Sequence, residues 1–245
     1  MTDLLKPIPT VSFPTITEWE IMENCDELVD MLGYSKNNGV FNIVIKPKYY
    51  RMGIPGAPSS VWVRKTVADK LINVAKKLSA HTNGIGQLCL YDGWRPWVVQ
   101  NRLYNKYYSD LKLKEPELSE EELHKKTGFF VSKPSEDCMK PFLHNTGGAI
   151  DLTIAYNGVE LNMGSKFDDF SNKSWTNHFE EYTEDVEVRD NRRLLYNLMI
   201  SEGFTNLPSE WWHYDYGNKF WAYFTGNISV YKGVMIKDVP CFPLF

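Results

Sequence analysis

The sequence predicts an α+β fold, with helices packed on a small, mostly antiparallel sheet. Two stretches, near residues 67–78 and 188–201, repeat apolar residues at helical spacing and run into glycine stop signals. Around them lie β-branched runs too short to be helices, bounded by Gly, Pro, Asn and Asp. Helices flanking such short strands give the α+β class.

Residues 41–49 (FNIVIKPKY) have a β-branched centre that predicts a strand, and the turn-rich run from Met52 to Ser60 predicts a loop. Val67, Leu71, Val74, Ala75 and Leu78 form one helical stripe, and Asn83-Gly84 breaks it. Residues 86–91 (GQLCLY) predict a short strand entering an Asp92-Gly93 turn, and Trp97 to about Tyr108 a helix. The charged stretch 110–126 (DLKLKEPELSEEELHKK) reads as a solvated helix or exposed excursion. Gly147 to Ile154 predicts a strand with a short hairpin partner, and 164–186 a long polar loop. The helix over 188–201 carries Leu194, Leu195, Leu198 and Met199 on its apolar face, with Gly203 as its stop. Trp211 to Phe224 predicts strand–turn–strand about Gly217-Asn218.

With 27 Lys+Arg against 31 Asp+Glu, the 245-residue chain has a formal charge of −4, which excludes a strongly basic nucleic-acid binder. Its 43% hydrophobic and 24% charged residues suit a packed core. No apolar run is long enough to span a bilayer, and the start of the chain has no signal-peptide pattern. Cys25, Cys89, Cys138 and Cys241 match no metal or redox spacing and read as free thiols. The expectation is a cytoplasmic protein with neither nucleic acid nor membrane as partner; nothing in the sequence specifies an oligomer. The absence of a linker predicts a single domain over 1–245, with residues 1–60 as an N-terminal extension packed on a core of about 61–225.

Only five histidines are present, and two stand near carboxylates: His144 in HNTGGAID and His213 in EWWH. With Asp151 they offer three ligands, the number that catalytic zinc takes while leaving a position for water. Positions 144 and 151 differ in parity, so an unbroken strand would point them to opposite faces. Gly147-Gly148 permits the bend that would bring them together; an ordinary loop-to-strand turn is the alternative. Glu210, three residues before His213, stands where a carboxylate can act as general base without binding the metal, or else be a solvated residue after Pro208. The zincin pattern H-E-x-x-H is absent. Arg95, in YDGWRP, has two readings: an ion pair with Asp92 that holds the turn, or a donor to an oxyanion.

These segments resemble the D-alanyl-D-alanine dipeptidases of the VanX type, within a zinc peptidase group that also holds D,D-carboxypeptidases and peptidoglycan endopeptidases. YDGWRP looks like the family's arginine turn, HNTGGAID like its H-x-x-G-x-A-x-D motif, MGSKFD like its substrate loop and SEWWH like its E-x-W-H motif, in that order. The resemblance implies that His144, Asp151 and His213 bind one Zn2+, that Glu210 is base and then acid, and that Arg95 stabilises the tetrahedral intermediate. It also implies that Asp168 holds the free amino group of a small D,D-dipeptide. One departure stands out, because Phe142 occupies the place of the family's usual serine two residues before the first histidine. Two rivals remain: another peptidase of the same group, for which Asp168 would be incidental, and a non-catalytic zinc-stabilised binding module. The pair Glu210 and Arg95 argues against the module, which needs neither a base nor an oxyanion donor.

Overall fold

The computed structural model describes residues 3–16, 19–181 and 185–236; Cys241 lies outside them, as do residues 182–184 of the expected polar loop. β1 (Leu28–Asp30) runs into α1 (Met31–Asn37), β2 (Ile43–Ile45) precedes the short α2 (Lys48–Arg51), and β3 (Trp62–Arg64) runs into α3 (Lys65–His81). β4 (Gly86–Asp92) is followed by the pair α4 (Trp97–Lys114) and α5 (Glu120–Phe130). β5 (Ala149–Tyr156) and β6 (Val159–Glu160) form the expected hairpin, and α6 (Val186–Ile200) follows the long loop. β7 (Thr205–Asn206), β8 (His213–Asp215) and α7 (Lys219–Thr225) complete the order.

The main sheet runs β2-β4-β5-β8-β7, with β6 on the end of β5. Its β2–β4 pair is parallel and its other pairs are antiparallel, while β1 and β3 form a separate antiparallel pair. The α+β expectation holds, and a strand from the first sixty residues is part of the main sheet.

Side-chain alternation gives the sheet two different faces. Leu88 and Leu90 of β4 and Ile150, Leu152 and Ile154 of β5 join the core cluster with the α3 stripe and with Leu194, Leu195, Leu198 and Met199 of α6. Cys89, Tyr91 and Ala155 belong to a separate cluster, and Asp151 shares their parity on β5. Asp92 would follow Leu88 and Leu90 into the core, but the β4–β5 register shifts between Leu90 and Asp92. A bulge of this kind re-aims the side chain that follows it. The apolar core on one face thus holds a polar row on the other.

Two local expectations are corrected. The run 41–49 is a strand only over Ile43–Ile45; beyond Pro47 the chain turns into α2, since proline has no N–H with which to extend the ladder. The expected strand after Gly217-Asn218 is helix α7. Asn218 is its cap, with a side-chain oxygen that accepts from the backbone N–H groups of Phe220 and Trp221, and Gly226 closes it in the left-handed conformation. An aromatic run after an Asn-Gly-type signal suits either element, and the cap decides. The stretch 110–126 divides between the end of α4 and α5, whose capping box joins Ser119 and Glu122. It is largely solvated, held by Lys112–Glu120 and Lys126–Glu115 ion pairs.

Candidate active site

Three neighbouring strands bring the polar row together. In the ladder Asp151 of β5 lies opposite Asp92 of β4 on one side and His213 of β8 on the other. His144 joins them from a 3-10 turn, Leu143–Thr146, just before β5. The expected break is real: Gly147 has φ +71°, and a Cβ on Gly148 would lie 2.3 Å from the Tyr216 carbonyl oxygen. The 3-10 turn and the left-handed Gly147 interrupt the extended backbone here, so the difference in parity between positions 144 and 151 no longer separates their side chains.

The donor atoms converge. His144 Nε2 lies 3.2 Å from His213 Nδ1 and 3.4 Å from Asp151 Oδ2, and His213 Nδ1 lies 3.0 Å from Asp151 Oδ1. A tetrahedral ion with bonds of about 2 Å needs ligand atoms about 3.3 Å apart, so the set fits a zinc ion. All three residues are buried. The other ring nitrogens have partners of their own: His144 Nδ1 lies 2.8 Å from the Gly93 carbonyl oxygen, and His213 Nε2 lies 3.1 Å from Asp215 Oδ1. Such contacts fix ring orientation and leave the converging nitrogens free for metal. Burial works against the charge on Asp151, but His144 and His213 hold its carboxyl well below the usual range. Burial also opposes charge on His213, yet Asp215 and Asp151 raise it well above an ordinary histidine. A metal ion held by these residues would compete with a proton for the same nitrogens.

Arg95 makes the ion pair with Asp92 that its sequence allowed, and one of its nitrogens is left with spare donor capacity. Its Nε donates to Asp92 Oδ2 at 2.8 Å and its Nη1 to Gln100 Oε1 at 2.7 Å, which fixes the guanidinium. Its Nη2 has only longer contacts, 3.4 Å to the Tyr49 hydroxyl and 3.6 Å to Asp151 Oδ2. That nitrogen keeps donor capacity for a third partner. Burial opposes the charge, but Tyr49, Asp92, Asp151 and Asp168 outweigh it and keep Arg95 cationic.

Glu210 lies in the turn before β8, its Oε2 4.0 Å from His213 Nδ1. Its side chain is 17% exposed, so it is not the solvated residue that its sequence context suggested. Burial, with Asp151 and Asp168 nearby, pushes its carboxyl up to about 8. Asp168 sits at φ +59° in the long loop and accepts a hydrogen bond from the Tyr49 hydroxyl at 3.2 Å. Burial likewise pushes its carboxyl up to about 7. Arg95, Glu210, Asp168, His144, Asp151 and His213 all line one cleft of about 230 Å³. Phe142 lines it too, where the resemblance called for serine, together with aromatic residues of α4 and α5.

Sequence reasoning missed four residues of this site. Tyr49 falls at the end of an expected strand and Gln100 on an expected helix, and nothing local signals either. Asp92 has a local signal only as a partner of Arg95. Asp215, two residues after His213 on the same strand, was legible from the period of two.

A 3-10 turn and two paired strands gather two histidines and an aspartate in a cleft, beside an enclosed carboxylate and a fixed guanidinium, an arrangement that suits metallopeptidase chemistry. The model of the M15 peptidase family, described as D-Ala-D-Ala dipeptidase, matches residues 59–230, and the chain belongs to that family of zinc peptidases. It is 33% identical over 162 residues to the D-alanyl-D-alanine dipeptidase of Enterococcus faecium, which covers 60% of this chain and 69% of that protein. The D-alanyl-D-alanine dipeptidase of Synechocystis sp. is 25% identical over 197 residues, 73% of this chain and 79% of that one. Among solved structures, the vancomycin resistance D,D-pentapeptidase VanY, in complex with Zn(II), aligns at a TM-score of 0.42 with 15% identity, over 76% of this chain and 95% of that one.

Proposed function

We propose that the protein hydrolyses the free dipeptide D-Ala-D-Ala to two molecules of D-alanine, with His144, Asp151 and His213 as the ligands of one Zn2+. When bound, zinc supplies Lewis-acid activation of water and of the scissile carbonyl. Glu210 removes the proton from the attacking water and returns it to the leaving amine, so one carboxylate is base and then acid. Nη2 of Arg95 donates to the oxyanion that develops on the carbonyl oxygen. Asp168, with the Tyr49 hydroxyl beside it, holds the substrate's ammonium group. We also propose that the chain acts as one domain over 1–245 with its catalytic core at about 61–225. Strand pairing by β2 and the position of Tyr49 in the cleft support counting the first sixty residues as part of it.

The observation that carries the dipeptidase reading is the enclosed Asp168 carboxylate in the same cleft as the metal ligands. A peptide extended or acylated at its amino end has an amide in place of that ammonium group and nothing to pair with the carboxylate. Leaving a half-buried carboxylate without its charged partner weakens binding of the acylated or longer substrate. The test compares the zinc-loaded protein on D-Ala-D-Ala, L-Ala-L-Ala and N-acetyl-D-Ala-D-Ala by release of amine. Turnover confined to the free D,D-dipeptide supports the reading; equal rates on the acetylated form would move the assignment to a carboxypeptidase.

A further inference from the structure

Arg192, on α6, faces none of the reacting groups, yet it is 1% exposed and has no carboxylate in ion-pair distance among the described residues. Its guanidinium donates only to backbone carbonyls: Nε to Met163 at 2.8 Å, Nη1 to Trp175 at 2.5 Å and Nη2 to Lys173 at 2.6 Å. Met163 begins the loop that carries Asp168, and Lys173 and Trp175 end it. The guanidinium is flanked by the rings of Phe179, 4.7 Å away, and Trp211, 5.9 Å away. Trp211 in turn donates its indole N–H to Ser165 Oγ at 3.0 Å, inside the same loop. Burial without a counter-ion lowers the guanidinium to about 9, so the bare charge is costly and the carbonyl dipoles are what hold it.

We propose that Arg192 is a positioning residue for ammonium recognition. By clamping both ends of the 163–176 loop from one helix, it holds Asp168 in its left-handed backbone conformation, facing Tyr49. Three features support this over a purely structural role. The bonds converge on one loop and not on scattered neighbours. Asp168, within the loop, has φ +59°, a left-handed conformation that costs even an aspartate some strain and that a held loop stabilises. Phe167, next to Asp168, packs on Trp212 and Tyr49, so a shift of the loop moves the carboxylate relative to the hydroxyl it accepts from. Only arginine presents donors in a rigid fork wide enough to reach three carbonyls; a lysine offers a point charge.

The inference rests on the dipeptidase reading for its kinetic part, so its test has an arm that needs no substrate. In the zinc-loaded protein, Arg192→Lys keeps the charge and the fold while losing the fork. Amide hydrogen exchange over residues 163–176 should then rise at least tenfold, with the sheet amides and the zinc content unchanged. KM for D-Ala-D-Ala should rise roughly tenfold, the loss expected for a misplaced charged contact, with kcat within about threefold. Added to Asp168→Asn, the same substitution should change KM little, because the carboxylate it positions is already gone. Arg192→Gln, which retains a side-chain donor without the charge, serves as the second variant if the lysine form folds poorly. Unchanged exchange in the loop of both variants overturns the proposal, whatever the substrate proves to be. So does a fall in kcat with KM intact, or an effect fully additive with Asp168→Asn. Failure of wild type to prefer the free dipeptide would count against the dipeptidase reading and leave the exchange arm standing.

Discussion

Glu210 and Asp168 are two enclosed carboxylates raised by burial to about 8 and about 7, and the proposed reaction gives them different tasks. Glu210 touches the ligand cluster without being part of it, so its amide replacement should separate chemistry from metal binding. Glu210→Gln is expected to retain about one zinc per chain by elemental analysis and to lose about 10²–10⁴-fold in kcat, the usual weight of a positioned general base. For Asp168 the sign of the pH effect follows from its raised value. Below pH 7 the carboxyl is protonated and cannot pair with an ammonium; as pH rises through about 7 it ionises and the pairing appears. Glu210 and the metal act on acetylated and free dipeptide alike, so their titrations cancel in the ratio of the two kcat/KM values. That ratio, free over acetylated, should climb between about pH 5.5 and 7.5 in wild type and stay flat in Asp168→Asn. A flat wild-type ratio would remove Asp168 from substrate recognition.

At the scale of elements, the site depends on how one short segment turns. The 3-10 turn before β5 and the glycine pair after it decide whether His144 reaches the strand that carries Asp151. A side chain at Gly148 meets backbone, the Tyr216 carbonyl oxygen at 2.3 Å, which cannot swing away as a flexible side chain can. Gly148→Ala should therefore destabilise the protein by about 2–4 kcal/mol in urea unfolding, within the range for overpacking at a special backbone position. At Gly128, within α5, an added Cβ would meet nothing within 4 Å, so Gly128→Ala should be neutral or stabilising by up to about 1 kcal/mol. Comparable losses in both variants would contradict the close approach. The helix pair α4 and α5 shows a second property of elements: its outer surface is laced with ion pairs, while Tyr107 and Phe130 turn inward to line the cleft.

Across the whole molecule, the candidate ligand cluster and the apolar core lie on opposite faces of the same sheet. Folding is driven by the core face, so removing zinc should leave the protein folded while lowering its stability. A ligand present at about a thousand times its Kd stabilises by about 4 kcal/mol, and for a chain of this size each kcal/mol moves Tm by roughly 2–4 °C. Chelation should therefore lower Tm by on the order of 10 °C with the far-ultraviolet circular dichroism preserved, and His144→Ala should abolish the zinc-dependent part of that shift. Loss of secondary structure on chelation would mean that the metal, and not the core, organises the sheet.

The helices were legible because burial imposes a period. Val67, Leu71, Val74, Ala75 and Leu78 are all buried in α3 as their spacing requires, and Leu194, Leu195, Leu198 and Met199 likewise in α6. The candidate ligands, Glu210, Arg95 and Asp168 were named from short motifs, whose residue types are set by chemistry and survive without knowledge of the fold. What the sequence could not supply depends on partners distant along the chain. Tyr49 meets Asp168 across 119 positions, and the carbonyls that Arg192 holds belong to a loop with no motif for being held. Asp92 reaches the site through a register shift that only its pairing with β5 creates. Asn218 became a helix cap instead of a hairpin turn because the backbone after it had donors that its side chain could accept from. Local periodicity and motif chemistry are properties of neighbours in sequence, so the chain alone determined the two core helices α3 and α6, the fold class and the reactive residue types. Register, bulges and long-range hydrogen bonds are properties of neighbours in space, so the tertiary structure decided which face those residues share and what holds them there.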